Sequence, residues 1–128
     1  MPIKVIIADD HEISRIGIRR LLSIAPDIDI IGEAVDGAHA LEISRLKKPD
    51  VVLLDVLMPN VSGIEAAQRI KAEMKEISVI MLSAAEDEKS IERAMYAGAD
   101  GYLSKEVTSE ELVAAIRTVI LGERVFSR

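Results

Sequence analysis

Residues 51–59 read VVLLDVLMP, and this stretch is the strongest indication of the fold. Its first four residues, Val51–Leu54, are all branched and apolar, which is typical of a strand buried on both faces of a parallel sheet. Asp55 follows this strand directly, and Pro59 predicts a turn a few residues later. The stretch therefore predicts a central strand that carries a carboxylate at its carboxyl end.

Apolar runs of strand length alternate with segments of helical period on both sides of this strand. The predicted strands are Ile3–Ala8, Ile28–Val35, Val51–Leu54, Val79–Leu82 and Gly101–Ser104. The predicted helices are Glu12–Ile24, Gly37–Leu46, Ser62–Met74, Asp87–Ala97 and a last helix that begins after Thr108 and stops at Gly122. This alternation predicts an α/β fold, in which a doubly wound parallel sheet carries helices on both faces.

Three local patterns make this prediction more specific. The second strand is more polar, which favours a position at the edge of the sheet. Thr108 and Glu111 form a capping box at the start of the last helix. The first helix is expected to bury the face made of Ile13, Ile16, Gly17, Leu21 and Ile24.

The composition predicts one compact cytoplasmic domain. The chain has 128 residues, of which 49% are hydrophobic and none is cysteine, so it can bury a core but has no disulfide or thiolate metal site. It lacks a secretory signal pattern, and no apolar run reaches the ~18 residues of a membrane span. A net charge of −6 and only three aromatic residues argue against nucleic-acid binding by this segment.

Polar residues follow four of the five predicted strands. The first strand is followed by Asp9 and Asp10, the third by Asp55, the fourth by Ser83 and the fifth by Lys105. In open α/β sheets, sites form beyond the carboxyl ends of the strands, so these side chains are expected to converge. His11 and His39 are interpreted as surface residues rather than ligands.

The charges of this group point to a cation. Three adjacent carboxylates need compensation, and Lys105 together with a divalent ion would balance them. Oxygen ligands without cysteine or histidine suit Mg²⁺. A carboxylate beside Mg²⁺ and lysine can attack a phosphoryl donor and form an acyl phosphate, in which Ser83 and Lys105 could pair with the new charge.

Each of these residues also has an ordinary structural explanation. The acidic pair could favour a helix N-terminus, Asp55 could belong to a turn, Ser83 could be a cap, and most single lysines are solvated. These explanations do not account for the placement of all of them at one edge of the sheet.

The chain resembles the response-regulator receiver domains of two-component signalling from Ile3 to about Gly122. The matching positions fall in family order: Asp9-Asp10, Asp55-Val56-Leu57-Met58-Pro59 with Gly63, Ser83-Ala84, and Tyr102 with Lys105. The resemblance implies a flavodoxin-like (βα)5 fold with strand order 2-1-3-4-5.

The resemblance also implies the role of each site residue. Asp55 would accept a phosphoryl group from a histidine kinase or a small phosphodonor. Asp10, Asp55 and the backbone carbonyl of Leu57 would bind Mg²⁺, with Asp9 acting largely through water. Ser83 and Lys105 would hold the phosphoryl oxygens, and Ser83 and Tyr102 would be the switch residues.

Residues 97–105 (AGADGYLSK), with Ala114-Ala115-Ile116 and Gly122, look most like the NarL/FixJ subgroup, whose members carry a C-terminal LuxR-type helix-turn-helix. We therefore expect a receiver domain over residues 1–122 and the start of a linker over residues 123–128. DNA would be bound only through a domain outside this chain, and phosphorylation is expected to promote a homodimer. An excised domain is favoured over a natural stand-alone regulator.

The sequence departs from many receivers at two places. Glu106 stands where a proline with a cis bond often follows the lysine, so no cis bond is expected here. Leu57 and Ala85 occupy positions that tune dephosphorylation, and neither can orient an attacking water. These two residues predict a long-lived phosphoryl group.

Other classes of protein remain as alternatives. A phosphatase of the haloacid-dehalogenase type would need Asp-x-Asp around its nucleophile, which neither residues 9–11 (DDH) nor residues 55–57 (DVL) provide. A nucleotide- or flavin-binding module would need a glycine- or hydroxyl-rich loop where the two aspartates stand. A stand-alone, chemotaxis-like regulator and a pseudo-receiver that only binds partners are the remaining possibilities.

Overall fold

The computed structural model describes residues 2–84 and 88–126, and within them a six-stranded parallel sheet has the order β2-β1-β3-β4-β5-β6. The strands are β1 (Ile3–Ala8), β2 (Ile28–Ala34), β3 (Val51–Asp55), β4 (Ser78–Ser83), β5 (Gly101–Ser104) and β6 (Val125–Phe126). The helices are α1 (Glu12–Leu22), α2 (Gly37–Lys47), α3 (Gly63–Glu73), α4 (Glu88–Tyr96) and α5 (Ser109–Ile120). The predicted fold class and the order of the first five strands are confirmed.

The sheet separates two hydrophobic clusters, as alternation along a buried strand requires. In β3, Val52 and Leu54 belong to the cluster that also contains residues of α2, α3 and α4. Val51 and Leu53 belong to the other cluster, which contains residues of α1 and α5. Every residue of β3 is buried, and the strand lies between β1 and β4, so its predicted central position is confirmed.

The predicted inward face of α1 is wrong for most of its residues, although Leu21 is partly buried against the core. Ile13 is 85% exposed and Ile24 is 55% exposed, while the buried residues of this helix are Ile18 and Leu22. The pair Ile18 and Leu22 has the i, i+4 spacing of one helix face and packs with α5 on the sheet. Because α1 has more apolar residues than one face can hold, periodicity alone did not select the buried set.

The start of α5 agrees with the sequence. The hydroxyl of Thr108 accepts a hydrogen bond from the backbone N–H of Glu111, and the Glu111 carboxylate accepts one from the backbone N–H of Thr108. The capping box is therefore confirmed. This cap fixes the first turn of α5 directly after the β5–α5 loop that carries Lys105.

The short strand β6 was not predicted. Val125 is paired with Gly101 of β5 and Phe126 with Tyr102, and the backbone N–H of Val125 donates to the carbonyl of Asp100 at 2.9 Å. Residues 125–126 therefore extend the sheet as an edge strand beside β5. The assignment of residues 123–128 to a linker stays a prediction. Among the helices that the structure describes, none is both long and apolar enough to cross a bilayer.

Candidate functional site

The residues that follow the strands converge at one edge of the sheet. Asp55 is the last residue of β3 and Ser83 is the last residue of β4, while Asp9 and Lys105 follow β1 and β5. These four strands are neighbours in the sheet, in the order β1-β3-β4-β5. Asp9, Asp55 and Ser83 are all buried. The convergence that the sequence predicted is therefore present.

Lys105 connects the two buried carboxylates. Its Nζ donates a hydrogen bond of 2.7 Å to Oδ2 of Asp9 and lies 3.4 Å from Oδ2 of Asp55. The same ammonium donates to Oγ of Ser14, on α1, at 3.2 Å. Residues from the segment between β1 and α1, from β3, from α1 and from the β5–α5 loop thus form one connected polar group, in which the lysine is closer to Asp9 than to Asp55.

The pKa values of the three charged groups follow from this arrangement. Burial raises the pKa of Asp9, but hydrogen bonds from Lys105, Ser14 and the His11 backbone outweigh burial and hold that pKa below its usual value. Burial and the negative charge of Asp9 raise the pKa of Asp55, which Lys105 offsets only in part. The pKa of Lys105 is raised, because its two carboxylate partners outweigh its burial. Asp9 and Lys105 thus form an ion pair, and the lysine compensates a negative charge on Asp55 only in part, so a further cation would stabilise the ionised form of Asp55.

An acidic group beside Asp55 fits a divalent cation. Asp9, Asp10, His11 and Asp55 each offer one ligand atom, and these atoms lie within 4.8 Å of one another. Oδ1 of Asp10 is buried and accepts no hydrogen bond from the described residues, although Nδ1 of the exposed His11 lies 3.1 Å away. A buried carboxylate oxygen without a donor is costly unless a cation or water satisfies it. The oxygen-rich donor set suits Mg²⁺.

The side chain of His11 is exposed, as the sequence predicted, but its imidazole ring lies beside the carboxylates of this group. Its Nδ1 lies 3.1 Å from Oδ1 of Asp10 and 3.6 Å from Oδ1 of Asp9. His39 lies on α2, where its backbone N–H donates to the capping side chain of Asp36 at 2.7 Å. The two histidines therefore occupy different surroundings, which the sequence did not distinguish.

The β3–α3 loop is held close to the backbone of Asp55. The backbone N–H of Leu57 donates to Oδ1 of Asp55 at 3.4 Å, and the side chain of Leu57 is 78% exposed. The backbone N–H of Gly63 donates to the carbonyl of Val56 at 3.1 Å. A Cβ atom at position 63 would lie 1.9 Å from the carbonyl oxygen of Asp55. Only glycine allows this approach, which places the start of α3 against the candidate phosphoacceptor.

The two predicted switch residues lie on neighbouring strands. Ser83 is at the carboxyl end of β4, and Tyr102 on β5 is fully buried beside β4. Tyr102 also packs in the cluster that Phe126 of β6 covers. Ala85, one of the two positions expected to affect dephosphorylation, lies outside the residues that the structure describes. No peptide bond is cis in the described part of the chain, so the bond before Glu106 is trans as expected.

Within the described residues, Ser14 and Arg15 contact the site and were not predicted from the sequence. Ser14 accepts a hydrogen bond from Lys105, and Arg15 donates one from Nη1 to the backbone carbonyl of Asp9 at 2.7 Å. Both lie in the first turn of α1, directly after the acidic pair. That proximity in sequence was the only available signal, because serine and arginine are ordinary residues on an exposed helix.

These features define a class of protein: an α/β domain with buried carboxylates and a lysine at the carboxyl edge of its parallel sheet. The family model of the response regulator receiver domain matches residues 5–117. The chain belongs to the response regulator receiver domain family.

Individual relatives agree with this assignment. The chain is 40% identical over 126 residues, 98% of its length, to the response regulator protein VraR of Staphylococcus saprophyticus. The chain spans only 60% of the length of this curated relative.

Solved structures of response regulators have a similar fold, as two examples show. The signal receiver domain of a response regulator described as NarL, from Mycobacterium tuberculosis, matches with a TM-score of 0.91 and 34% identity over 95% of this chain and 98% of that one. A DNA-binding response regulator of the LuxR family from Staphylococcus aureus matches with a TM-score of 0.85 and 30% identity, over 92% of this chain and 98% of that one. The resemblance to the NarL and LuxR group is thereby confirmed.

Proposed function

We propose that the domain is a phosphorylation-dependent switch whose phosphoacceptor is the carboxylate of Asp55. The observation that carries this proposal is the position of Lys105, whose ammonium contacts the buried Asp9 and Asp55 together. A half-buried ammonium beside two buried carboxylates at the edge of a parallel sheet suits phosphoryl transfer, because the ammonium, and a cation bound by the carboxylates, can compensate negative charge on the phosphoryl group. Membership of the receiver family supports this use of the site.

The proposed reaction is a displacement at phosphorus. An oxygen of the Asp55 carboxylate forms a bond to the phosphorus atom of the donor, and the bond from phosphorus to the leaving group breaks with its electron pair. Asp10, Asp55 and the backbone carbonyl of Leu57 would hold Mg²⁺, with Asp9 acting through water. The ion would neutralise charge on the phosphoryl oxygens. Lys105 and the hydroxyl of Ser83 would hold the oxygens of the product.

The switch would follow from the charge added at Asp55. An acyl phosphate is more negative than a carboxylate and brings new acceptor oxygens. Lys105, which now bonds to Asp9, and Ser83 are the side chains placed to respond. A shift of Ser83 would act on β4, where Tyr102 packs from the neighbouring strand. Tyr102 is therefore proposed to transmit the change toward α4 and α5.

The partners of the domain are proposed from its relatives. A sensor histidine kinase is the expected donor, and residues 1–122 are the expected receiver unit. Similarity to a LuxR-family regulator described as DNA-binding supports an output in transcription, through a C-terminal domain outside this chain. Homodimerisation on phosphorylation and a location in the cytoplasm belong to the same proposal.

The first experiment is intact mass spectrometry after incubation with acetyl phosphate, with and without Mg²⁺. The wild-type domain should gain one phosphoryl group only when Mg²⁺ is present. Asp55→Asn should gain none, because an amide oxygen is a much weaker nucleophile. Asp29→Asn is the matched control, because Asp29 is exposed and pairs with Lys4 near the start of β1, at the end of the strands opposite to the site. It should gain phosphate like the wild type.

Two results would contradict the proposal. Phosphate gained equally by Asp55→Asn would place the acceptor at another residue. Phosphate gained by neither protein, from acetyl phosphate or from phosphorylated histidine kinases, would favour a domain that acts by binding alone. Hydroxylamine should release the phosphate from the wild type, because acyl phosphates react with it and phosphoserine does not.

A further inference from the structure

We propose that Arg15 is a positioning residue of the cation site and holds the Asp9-Asp10 turn in the orientation that binds Mg²⁺. The inference rests on the proposed function only for the identity of the ion. Nη1 of Arg15 donates to the backbone carbonyl of Asp9 at 2.7 Å, and Nε donates to Oε1 of Glu33 at 3.0 Å. The Arg15 side chain is 15% exposed, so both contacts lie largely out of water.

The first turn of α1 explains how Arg15 reaches the acidic turn. The backbone N–H of Arg15 donates to the carbonyl of His11 at 3.1 Å, which makes Arg15 part of that turn. Side chains in a helix lean toward its N-terminus, and here the N-terminus follows Asp10 directly. The guanidinium therefore folds back over the segment that connects β1 to α1.

The contact fixes the peptide group between Asp9 and Asp10. The backbone N–H of Asp9 is already bound to the carbonyl of Ala34 at 3.0 Å, and Oδ1 of Asp9 accepts from the backbone N–H of His11 at 2.9 Å. The backbone carbonyl of Asp9 accepts the hydrogen bond from Arg15, so that both the N–H and the carbonyl of Asp9 are paired. The direction of the Asp10 side chain depends on this peptide, and its buried Oδ1 accepts no hydrogen bond from the part of the chain that the structure describes, with Nδ1 of His11 3.1 Å away. Arg15 thus orients Asp10 without contacting its carboxylate.

Glu33 holds the guanidinium from the other side. Oε1 of Glu33 accepts from Arg15, and Oε2 lies 3.3 Å from Nη1 of Arg19, whose side chain is half exposed. The planar guanidinium can bind a carbonyl and a carboxylate together in fixed directions. An ammonium at position 15 keeps the charge but does not reproduce this geometry. Arg19 shares Glu33 with Arg15 and is therefore a matched control.

The test is a calorimetric titration of the phosphate-free protein with Mg²⁺ alone. Arg15→Ala should weaken Mg²⁺ binding about tenfold. This is the lower end of the loss in metal affinity that follows removal of a residue that orients a metal ligand. Arg15→Lys should lie between Arg15→Ala and the wild type, and Arg19→Ala should stay within about twofold of the wild type. Backbone hydrogen exchange at Asp10 and His11 should be faster in Arg15→Ala without Mg²⁺.

A role limited to folding predicts a different pattern. It would lower the unfolding temperature of Arg15→Ala but leave the Mg²⁺ affinity of the folded protein unchanged, and this result would overturn the proposal. An equal loss of affinity in Arg19→Ala, or a wild type that binds no Mg²⁺, would overturn it as well. If Arg15→Ala does not fold, Arg15→Lys and Glu33→Gln must each weaken binding for the proposal to stand. Because the titration involves no phosphoryl transfer, a domain that binds Mg²⁺ as described but accepts no phosphate would refute only the proposed function.

Discussion

Lys105 donates its hydrogen bond of 2.7 Å to Asp9, across 96 positions of sequence, and lies at the longer distance of 3.4 Å from Asp55. Asp9 has no exposed surface, so its charge depends on this lysine for compensation. The ammonium that is expected to hold a phosphoryl group at Asp55 is therefore bound to a neighbouring carboxylate in the unphosphorylated domain. Phosphorylation would have to compete with Asp9 for Lys105, and this competition couples the chemistry to a movement of the lysine.

Lys105→Ala is expected to separate phosphorylation from the conformational change. The Asp55 nucleophile remains, so the variant should still gain phosphate, but Ser83 would face the new charge without the lysine. Comparison of backbone amide spectra before and after phosphorylation should show large shifts at Ser83 and Tyr102 in the wild type and small shifts in the variant. Lys4→Ala, at an exposed position of β1, is the control. A normal response of Tyr102 in Lys105→Ala would contradict the coupling.

The same variant should also be less stable, because it leaves the buried Asp9 without its partner. Loss of one member of a buried ion pair costs about 3 kcal/mol or more. Urea unfolding at neutral pH measures this difference.

Asp55→Asn is expected to stabilise the Mg²⁺-free domain at neutral pH. Burial and the charge of Asp9 raise the pKa of Asp55, so the folded state binds a proton at Asp55 more readily than the unfolded state. Stability therefore falls as pH rises from the ordinary aspartate pKa, near 3.8, through the raised pKa of the folded state. The amide has no charge to lose, and its advantage should be on the order of 1 kcal/mol above this range.

The measurement is urea unfolding of both proteins over a pH series without divalent ions. The difference between them should shrink toward low pH, where Asp55 of the wild type is protonated. Mg²⁺ at ten times its dissociation constant should restore about 1.4 kcal/mol to the wild type alone. A constant difference at every pH would show that the titration of Asp55 is not its cause.

Gly63→Ala and Gly17→Ala are expected to have opposite effects on stability. At position 63 the added Cβ would meet the carbonyl oxygen of Asp55 at 1.9 Å, a clash that only a shift of one of the two backbone segments could relieve. This variant should lose about 3 kcal/mol or more and its phosphorylation should slow. At position 17 a Cβ meets nothing within 4 Å, and alanine favours the helix by ~0.5–1 kcal/mol. Thermal unfolding distinguishes the two, and a stable, fully active Gly63→Ala would show that the loop tolerates displacement.

Leu57→Asn is expected to shorten the lifetime of the phosphoryl group. The side chain of Leu57 is exposed beside the Asp55 carboxylate and offers no group to orient water. An asparagine amide could hold an attacking water, which should speed the loss of phosphate at least about threefold. Loss of phosphate from the purified domain can be followed by intact mass. Leu57→Ala removes the same bulk without a polar group, and a decay as fast as that of Leu57→Asn would attribute the effect to access alone.

Much of this site follows from the sequence, because topology leaves few choices. Residues that follow neighbouring parallel strands must lie at one edge of the sheet, so Asp9, Asp55, Ser83 and Lys105 could be placed together once the strands were recognised. The central strand in turn was recognisable because a strand buried on both faces is a continuous apolar run, as β3 is from Val51 to Leu54. The capping box of α5 is equally local, since it depends on residues three positions apart.

Tertiary packing decided what the sequence left open. The rotation of α1 depends on its contacts with β1 and α5, so Ile18 and Leu22 were buried instead of the predicted face that includes Ile13 and Ile24. The preference of Lys105 for Asp9 depends on differences in distance smaller than 1 Å, which no sequence pattern encodes. The sequence thus determined which side chains meet, because strand order and direction fix their edge of the sheet. Only the folded structure determined which of them pair. The choice of partner depends on distances that differ by less than 1 Å, whereas strand order places side chains only to within the spacing of the strands.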